Sequence, residues 1–257
     1  MTVSKIGEGI WQFNEAFKEG GPYVDAYLIV GEKEALLVDS LQTEAGLYEE
    51  VRKITNLPVS VVLTHGHGDH AGVSLKDLYE NNCKIYMDLR DMSIVLKGFG
   101  EAIIEEEWIQ GIEPGTIFDL GGFKLEAIPI PGHTPGSLVL LEREKQLLFS
   151  GDTIGSGYFW MQLSVSLPLN IFLKNLEYFW DQVSSMKDIL VYPGHRNQSP
   201  VQLNLQYIKD VIDITKDIVT GEREGSDDAM SFMGTDIKFK RISHGLMRDY
   251  LYDPKKI

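Results

Sequence analysis

The sequence predicts an α/β protein whose sheets are covered by helices, and three observations carry that prediction. Apolar runs of strand length alternate with stretches of helical spacing. The order of strands followed by helix occurs in both halves of the chain, before and after Gly122. Residues with ligand chemistry fall where predicted strands end, which is where α/β sheets place their sites. Taken in order, Ala26–Val30 and Ala35–Asp39 flank the charged turn "GEKE" and read as a hairpin. Leu47–Ile54 has helical spacing, Val59–Thr64 reads as a buried strand, and Leu75–Asn81 as a short helix entering the strand Lys84–Met87. After Gly122 come strands at Phe123–Ile128, Leu138–Leu141 and Leu147–Phe149, a helix at Leu169–Val183 and a strand at Ile189–Tyr192. Pro200–Ile218 reads as an amphipathic helix, "GEREGSDDAM" as a polar, mobile loop, and Ile237–Tyr252 as two closing strands around "SHG". No fixed-period repeat, linker or low-complexity tract interrupts the chain. Residues 1–257 are therefore expected to form one domain, with 200–257 supplying a C-terminal helix and closing strands.

Composition narrows the function classes. At 257 residues and 43% hydrophobic content the chain can bury a substantial core. Its 38 Asp and Glu against 24 Lys and Arg give a formal charge of -14, a field that repels nucleic acid and anionic lipid. The opening "MTVSKIGEGIW" has no apolar run before a small-residue cleavage site, and no stretch approaches the roughly 20 apolar residues a membrane span needs. The expectation is a cytoplasmic protein with no membrane association. One cysteine, Cys83, excludes an internal disulfide and a thiolate cluster, and is read as a small buried hydrophobe.

The chemistry starts at "VVLTHGHGDHAG", which puts three of the six histidines and an aspartate into six consecutive positions, His65 to His70. The segment follows an apolar strand, and Gly66 and Gly68 let a tight loop turn so that alternate imidazoles converge. Convergent neutral imidazoles are the chemistry of a metal site. Farther on, "IPGHTPGS" places His133 in a Pro/Gly-rich loop, "LLFSGDT" ends a strand at Asp152, and "LVYPGH" ends another at His195. Together these are seven ligand-type residues, more than one tetrahedral zinc uses, so two metals are the economical reading.

In this order, the "THGHGDH" loop, "GHTPGS", "SGDT" and "PGH" resemble the metallo-β-lactamase superfamily. The resemblance implies a four-layer αββα sandwich with the metal site at one edge, between the sheets. It further implies that His65, His67 and His133 hold one metal, that Asp69, His70 and His195 hold the other, and that Asp152 bridges them. Asp39, in "LLVDS", resembles the family's strand-end aspartate and is either a partner orienting a ligand histidine or a turn and helix cap.

Two divalent ions, zinc by expectation with manganese or iron as alternatives, would supply a bridging hydroxide near neutral pH and polarise a substrate oxygen. Asp69 is a candidate proton carrier beside its ligand role. The resemblance narrows the reaction to a small ester, thioester or lactone. Asp152 stands where lactamases with a cysteine ligand have Cys, and His67 where diiron flavoproteins have Glu; the acidic charge disfavours a nuclease. The alternatives are a phosphodiesterase of the same fold, a mononuclear iron sulfur dioxygenase acting on a persulfide, and a non-catalytic binding module.

After Asp152, Tyr158, Phe159, Trp160 and Met161 offer an aromatic and thioether surface for the apolar portion of a small-molecule substrate, or else pack the core. Tyr158 is the candidate hydrogen-bond donor to a tetrahedral oxyanion. Phe99 and Trp108 either form an opposite wall or anchor their acidic insert. His244 is read as a turn histidine, and the C-terminal segment either closes a sheet or pairs with a second copy of the chain as a homo-oligomer.

Overall fold

The computed structural model describes residues 1–16, 23–42, 46–97, 103–232 and 234–257. The first sheet runs β1 (Thr2–Gly7), β2 (Ile10–Ala16), β3 (Tyr23–Val30), β4 (Ala35–Val38), β5 (Val59–Val62), β6 (Lys84–Met87) and β7 (Ile109–Gly111), in that spatial order. It is antiparallel up to β4 and parallel from β4 onward, where α1 (Leu47–Ile54), α2 (Ser74–Glu80) and the single turn α3 (Met92–Val95) make the crossovers. The second sheet begins with β8 (Ile117–Asp119), β9 (Lys124–Pro129), β10 (Leu138–Glu142) and β11 (Leu147–Gly151). The chain leaves it for β12 (Tyr158–Met161) and α4 (Leu169–Val183), then returns as β13 (Leu190–Pro193), parallel to β11. After α5 (Leu205–Thr220), β14 (Ser226–Phe232), β15 (Thr235–His244) and β16 (Met247–Tyr252) form a third sheet with β12, in the order β12-β16-β15-β14.

Side-chain alternation turns these sheets into four layers, because successive residues of a strand face opposite ways. Tyr27, Ile29, Leu36 and Val38 of the first sheet pack with Leu138, Leu140 and Phe149 of the second in a central core. The alternate residues, Ala26, Leu28, Ala35 and Leu37, join Leu47 and Val51 of α1 and Leu75 and Leu78 of α2. On the far side, Val139, Leu141 and Leu148 pack against Phe172, Leu176 and Phe179 of α4 and Ile208, Val211 and Ile212 of α5. Strands of the second half are thus buried on both faces, which is why they read as continuous apolar runs.

Several expectations shift in detail. The "GEREGSDDAM" segment is not a loop throughout: from Ser226 it is strand β14. Its loop-like carboxylates are neutralised across the ladder, Asp227 by Lys240 at 3.1 Å and Asp228 by Arg241 at 2.8 Å. The late helix starts at Leu205 rather than Pro200, because Asn204 caps it by accepting from the Gln206 and Tyr207 N–H groups. The strands of Ile237–Tyr252 form and close a third sheet of the same chain, in which β16 pairs with β12 and β15 lies between β16 and β14. Strands β1, β2, β7, β8 and β12 were not anticipated; those before Tyr23 and those around Gly111–Asp119 are short or half-exposed and lack a clean apolar run. Cys83 is buried, as expected. Among the described residues no helix is long and apolar enough to cross a membrane.

The third sheet is fastened to the helical layer by Phe159, whose ring stacks on Tyr250 at 4.9 Å and meets Phe172 at 5.9 Å. Truncation there leaves a cavity the surrounding aromatics cannot fill. F159A should lower unfolding free energy by about 3–5 kcal/mol, read from denaturant titration.

Candidate metal centre

All seven candidate ligands lie at one end of the sheets, on the loops leaving β5, β9, β11 and β13. Their side chains gather into two groups, His65 with His67 and His133, and Asp69 with His70, Asp152 and His195; within each group the ligand atoms lie within 4.8 Å of one another. In the first, His67 Nδ1 is 3.1 Å from His65 Nε2 and 2.9 Å from His133 Nε2. Nitrogens 2.0–2.1 Å from one tetrahedral ion sit about 3.3 Å apart, so this spacing is close to that of a ligand set. In the second, Asp69 Oδ2 and Asp152 Oδ2 are each 3.4 Å from His195 Nε2. Asp152 stands between the groups: Oδ1 is 3.5 Å from His70 Nε2, and Oδ2 is 3.7 Å from His133 Nε2.

Three of the other ring nitrogens are already committed, which sets the ring orientations and turns the second nitrogen of each toward its group. His70 Nδ1 donates to Asp39 at 2.8 Å, His133 Nδ1 to the Trp160 carbonyl at 2.9 Å and His195 Nδ1 to the Tyr23 carbonyl at 2.7 Å. His70 Nε2 and Asp152 Oδ1 are buried without a hydrogen-bond partner. Orphaned atoms of this kind are costly, and a cation between them satisfies both. The donor set therefore fits metal ions.

Electrostatics agrees with that fit at four of the seven residues. Burial, reinforced by the neighbouring imidazoles, holds His65 well below the ordinary histidine range and His67 at about 3, so both are neutral with lone pairs available. Burial alone would push Asp69 and Asp152 up, but the facing His70 and His195 overcome it and keep both carboxylates ionised. Conversely, burial opposes a charge on His70 and His195, while Asp152 and Asp69 favour one and prevail. Deprotonated imidazoles and ionised carboxylates are the forms a metal requires, so His65, His67, Asp69 and Asp152 already hold the binding form, while an ion at the second group must displace a proton from His70 and from His195.

Local backbone explains why the groups meet. Asp39 sits in the left-handed region at φ 62° and accepts from Thr64 N at 2.7 Å and Thr64 Oγ1 at 2.9 Å, besides His70. It thus serves both as an anchor of the turn and as the group orienting His70. Gly194, just before His195, has no room for a side chain, since a β-carbon would lie 2.3 Å from His70 Cε1 and 2.8 Å from Asp152 Oδ1.

Two buried carboxylates escaped the sequence reading. Asp91 accepts from Gly66 N, Gly136 N and Thr134 Oγ1. Asp25 accepts from Gln12, Asn14 and Arg196 N. Burial pushes both above the ordinary aspartate value, although their donors pull the other way. Half of their partners are backbone N–H groups, and every one lies at least 11 residues away, which leaves no local signal.

The two groups of candidate ligands open into a cleft of about 1860 Å³. Tyr158 and Trp160 line it, whereas Phe159 and Met161, on the opposite face of β12, are buried in the core. Strand alternation therefore divides the four expected substrate contacts in half. Trp108 does not form an opposite wall: it is buried in the first-sheet core and stacks on Tyr79 at 5.4 Å. Phe99 lies outside the described residues. His244 ends β15 at the turn before β16 and contacts Arg223, as a turn histidine should.

The model of the metallo-beta-lactamase superfamily matches residues 20–195, and the chain belongs to that superfamily. It is 30% identical over 138 residues to the hydroxyacylglutathione hydrolase GloC of Haemophilus influenzae, covering 49% of this chain and 64% of that protein's length. It is 24% identical over 229 residues to the human acyl-coenzyme A thioesterase MBLAC2, covering 75% of this chain and 80% of the other. A solved metallo-beta-lactamase from Pontibacter korlensis superposes with a TM-score of 0.63 at 17% identity, covering 84% of this chain and 98% of that one. The αββα fold is thereby shown, and the family match ends before α5 and strands β14 to β16.

The crowding at Gly194 gives a direct test. G194A should displace His70 or Asp152 and lower bound metal, measured by elemental mass spectrometry, while far-ultraviolet circular dichroism stays unchanged.

Proposed function

We propose that the protein is a metal-dependent hydrolase with a dinuclear centre, cleaving a small ester, thioester or lactone that carries an apolar portion. The observation that carries this reading is the pair of ligand groups joined by Asp152 at the floor of an open cleft. His65, His67 and His133 would hold one ion, and Asp69, His70 and His195 the other, with Asp152 shared. An imidazole and carboxylate donor set without thiolate suits zinc, and also manganese or iron. Bound there, two divalent ions supply an activated water near neutral pH and a Lewis-acidic face for the substrate oxygen.

The chain's own residues then have distinct tasks. Asp39 and the Tyr23 and Trp160 carbonyls hold three imidazoles in one tautomer, so the ligand nitrogens need no rearrangement. Trp160, Leu163, Val165, Ile237 and Phe239 present apolar surface along the cleft and exclude water from that part of a substrate. Tyr158, at the cleft rim, would donate to the developing oxyanion, and Asp69 would carry a proton in addition to ligating. Among the three bonds the thioester has added support, since one relative is named an acyl-coenzyme A thioesterase. The partner is then a small molecule rather than a nucleic acid, consistent with the formal charge of -14.

Protein purified without added metal should contain two equivalents per chain, and H65A and H195A should each lose mainly one. Hydrolysis of a thioester, ester and lactone panel should vanish on chelation and return with metal. A single iron equivalent, unchanged in H195A, would sink the dinuclear reading. Y158F should lower kcat by about 10-fold or more with little change in KM if the hydroxyl acts on the oxyanion. Unchanged turnover in D69N with full metal content would remove the proton role from Asp69.

A further inference from the structure

Two buried carboxylates outside the ligand set hydrogen-bond to different ligand-bearing loops. Asp91 is fully buried, and its oxygens accept three hydrogen bonds: Gly66 N at 2.8 Å, Thr134 Oγ1 at 2.6 Å and Gly136 N at 2.6 Å. Gly66 lies between His65 and His67, and Thr134 follows His133. One carboxylate therefore ties together the two loops that carry all three imidazoles of the first group. The packing leaves no slack, since a β-carbon on Gly136 would come 2.7 Å from Asp91 Cγ and one on Gly66 would come 3.0 Å from Asp91 Cβ.

Asp25 occupies the corresponding place for the second group. It is also fully buried; Oδ1 accepts from Gln12 Nε2 at 2.7 Å and Asn14 Nδ2 at 2.6 Å, and Oδ2 from Arg196 N at 2.7 Å. Its own N–H donates to the Gly194 carbonyl at 2.8 Å. Asp25 thus grips the chain on both sides of His195, while the neighbouring Tyr23 carbonyl takes His195 Nδ1 at 2.7 Å. Neither carboxylate reaches the loop held by the other.

A buried carboxylate is expensive, and one whose every contact is a donor from a ligand loop or its support is well suited to fixing that loop. An asparagine keeps the shape but must turn an NH₂ toward an N–H or O–H donor, so at least one of the bonds is lost. We infer that Asp91 and Asp25 are positioning residues that set the occupancy of the two metal sites separately, Asp91 for the three-imidazole site and Asp25 for the site containing His195. This inference rests on the two-metal reading above.

The test is cobalt titration of the metal-freed full-length protein, followed by visible absorption and by metal retained after dialysis. A three-imidazole site and an imidazole–carboxylate site differ in ligand field, so their bands identify which is filled. D91N should weaken the three-imidazole site by about 10- to 100-fold and leave the other within a factor of about two; D25N should do the reverse. T134V, which removes a single bond to Asp91, should weaken the same site as D91N by a smaller factor. It carries the test if D91N fails to fold, which a thermal melt reveals. Wild type binding one equivalent would overturn the two-metal reading and this inference with it. Wild type binding two, with the folded variants weakening both sites equally or neither, would overturn the assignment of Asp91 and Asp25 alone.

Discussion

The site depends first on the carboxylate of Asp39. In the left-handed region at φ 62°, it joins the end of β4 to the start of the histidine loop through Thr64 and fixes His70 through Nδ1. Strain in a non-glycine backbone of this kind persists only where surrounding bonds over-determine it. Here three hydrogen bonds do so, and the direction of His70 Nε2 is set by chain geometry before any ligand arrives. The two groups of side chains share an edge because β4 and β5 are parallel neighbours in one sheet and β11 and β13 are parallel neighbours in the other.

The legible part of this arrangement was written locally. Each candidate ligand stands on a loop that follows an apolar strand and, His70 apart, next to glycine, so His65 through His195 could be picked out from their local setting, and the resemblance supplied their grouping. That helices cover the sheets was legible for a similar reason, since strands buried on both faces announce themselves as unbroken apolar runs, whereas the αββα order came from the resemblance alone. Strand β14 was not, because its Asp227 and Asp228 owe their place to Lys240 and Arg241 across the ladder. Asp91 and Asp25 were invisible on the same ground. Asp91 meets its partners 25 and 45 residues away, and Asp25 meets Arg196 across 171 residues, so nothing within a sequence window marks them.

The cleft has a composite origin. Its floor belongs to the family-matched part of the chain, while a wall comes from β14 to β16, which lie beyond that match. Lys256 reinforces the join: its ammonium donates to the carbonyls of Leu163, Ser164 and Ser166 at 2.7–2.9 Å, and Ser166 in turn donates to the His133 carbonyl. Floor and wall are thus connected by charge-assisted bonds to backbone.

Pairing of β12 with β16 also orders events in time. Phe159 faces Tyr250 in that ladder, so β12 cannot acquire its partner until the last strand of the sheet has been made. By residue 195 a growing chain already carries every candidate ligand. Long-range pairings close late because loop-closure entropy precedes their reward. The loops carrying the candidate ligands can therefore assemble while the space above them is still open to solvent, and the cleft wall built by β14 to β16 is added after them.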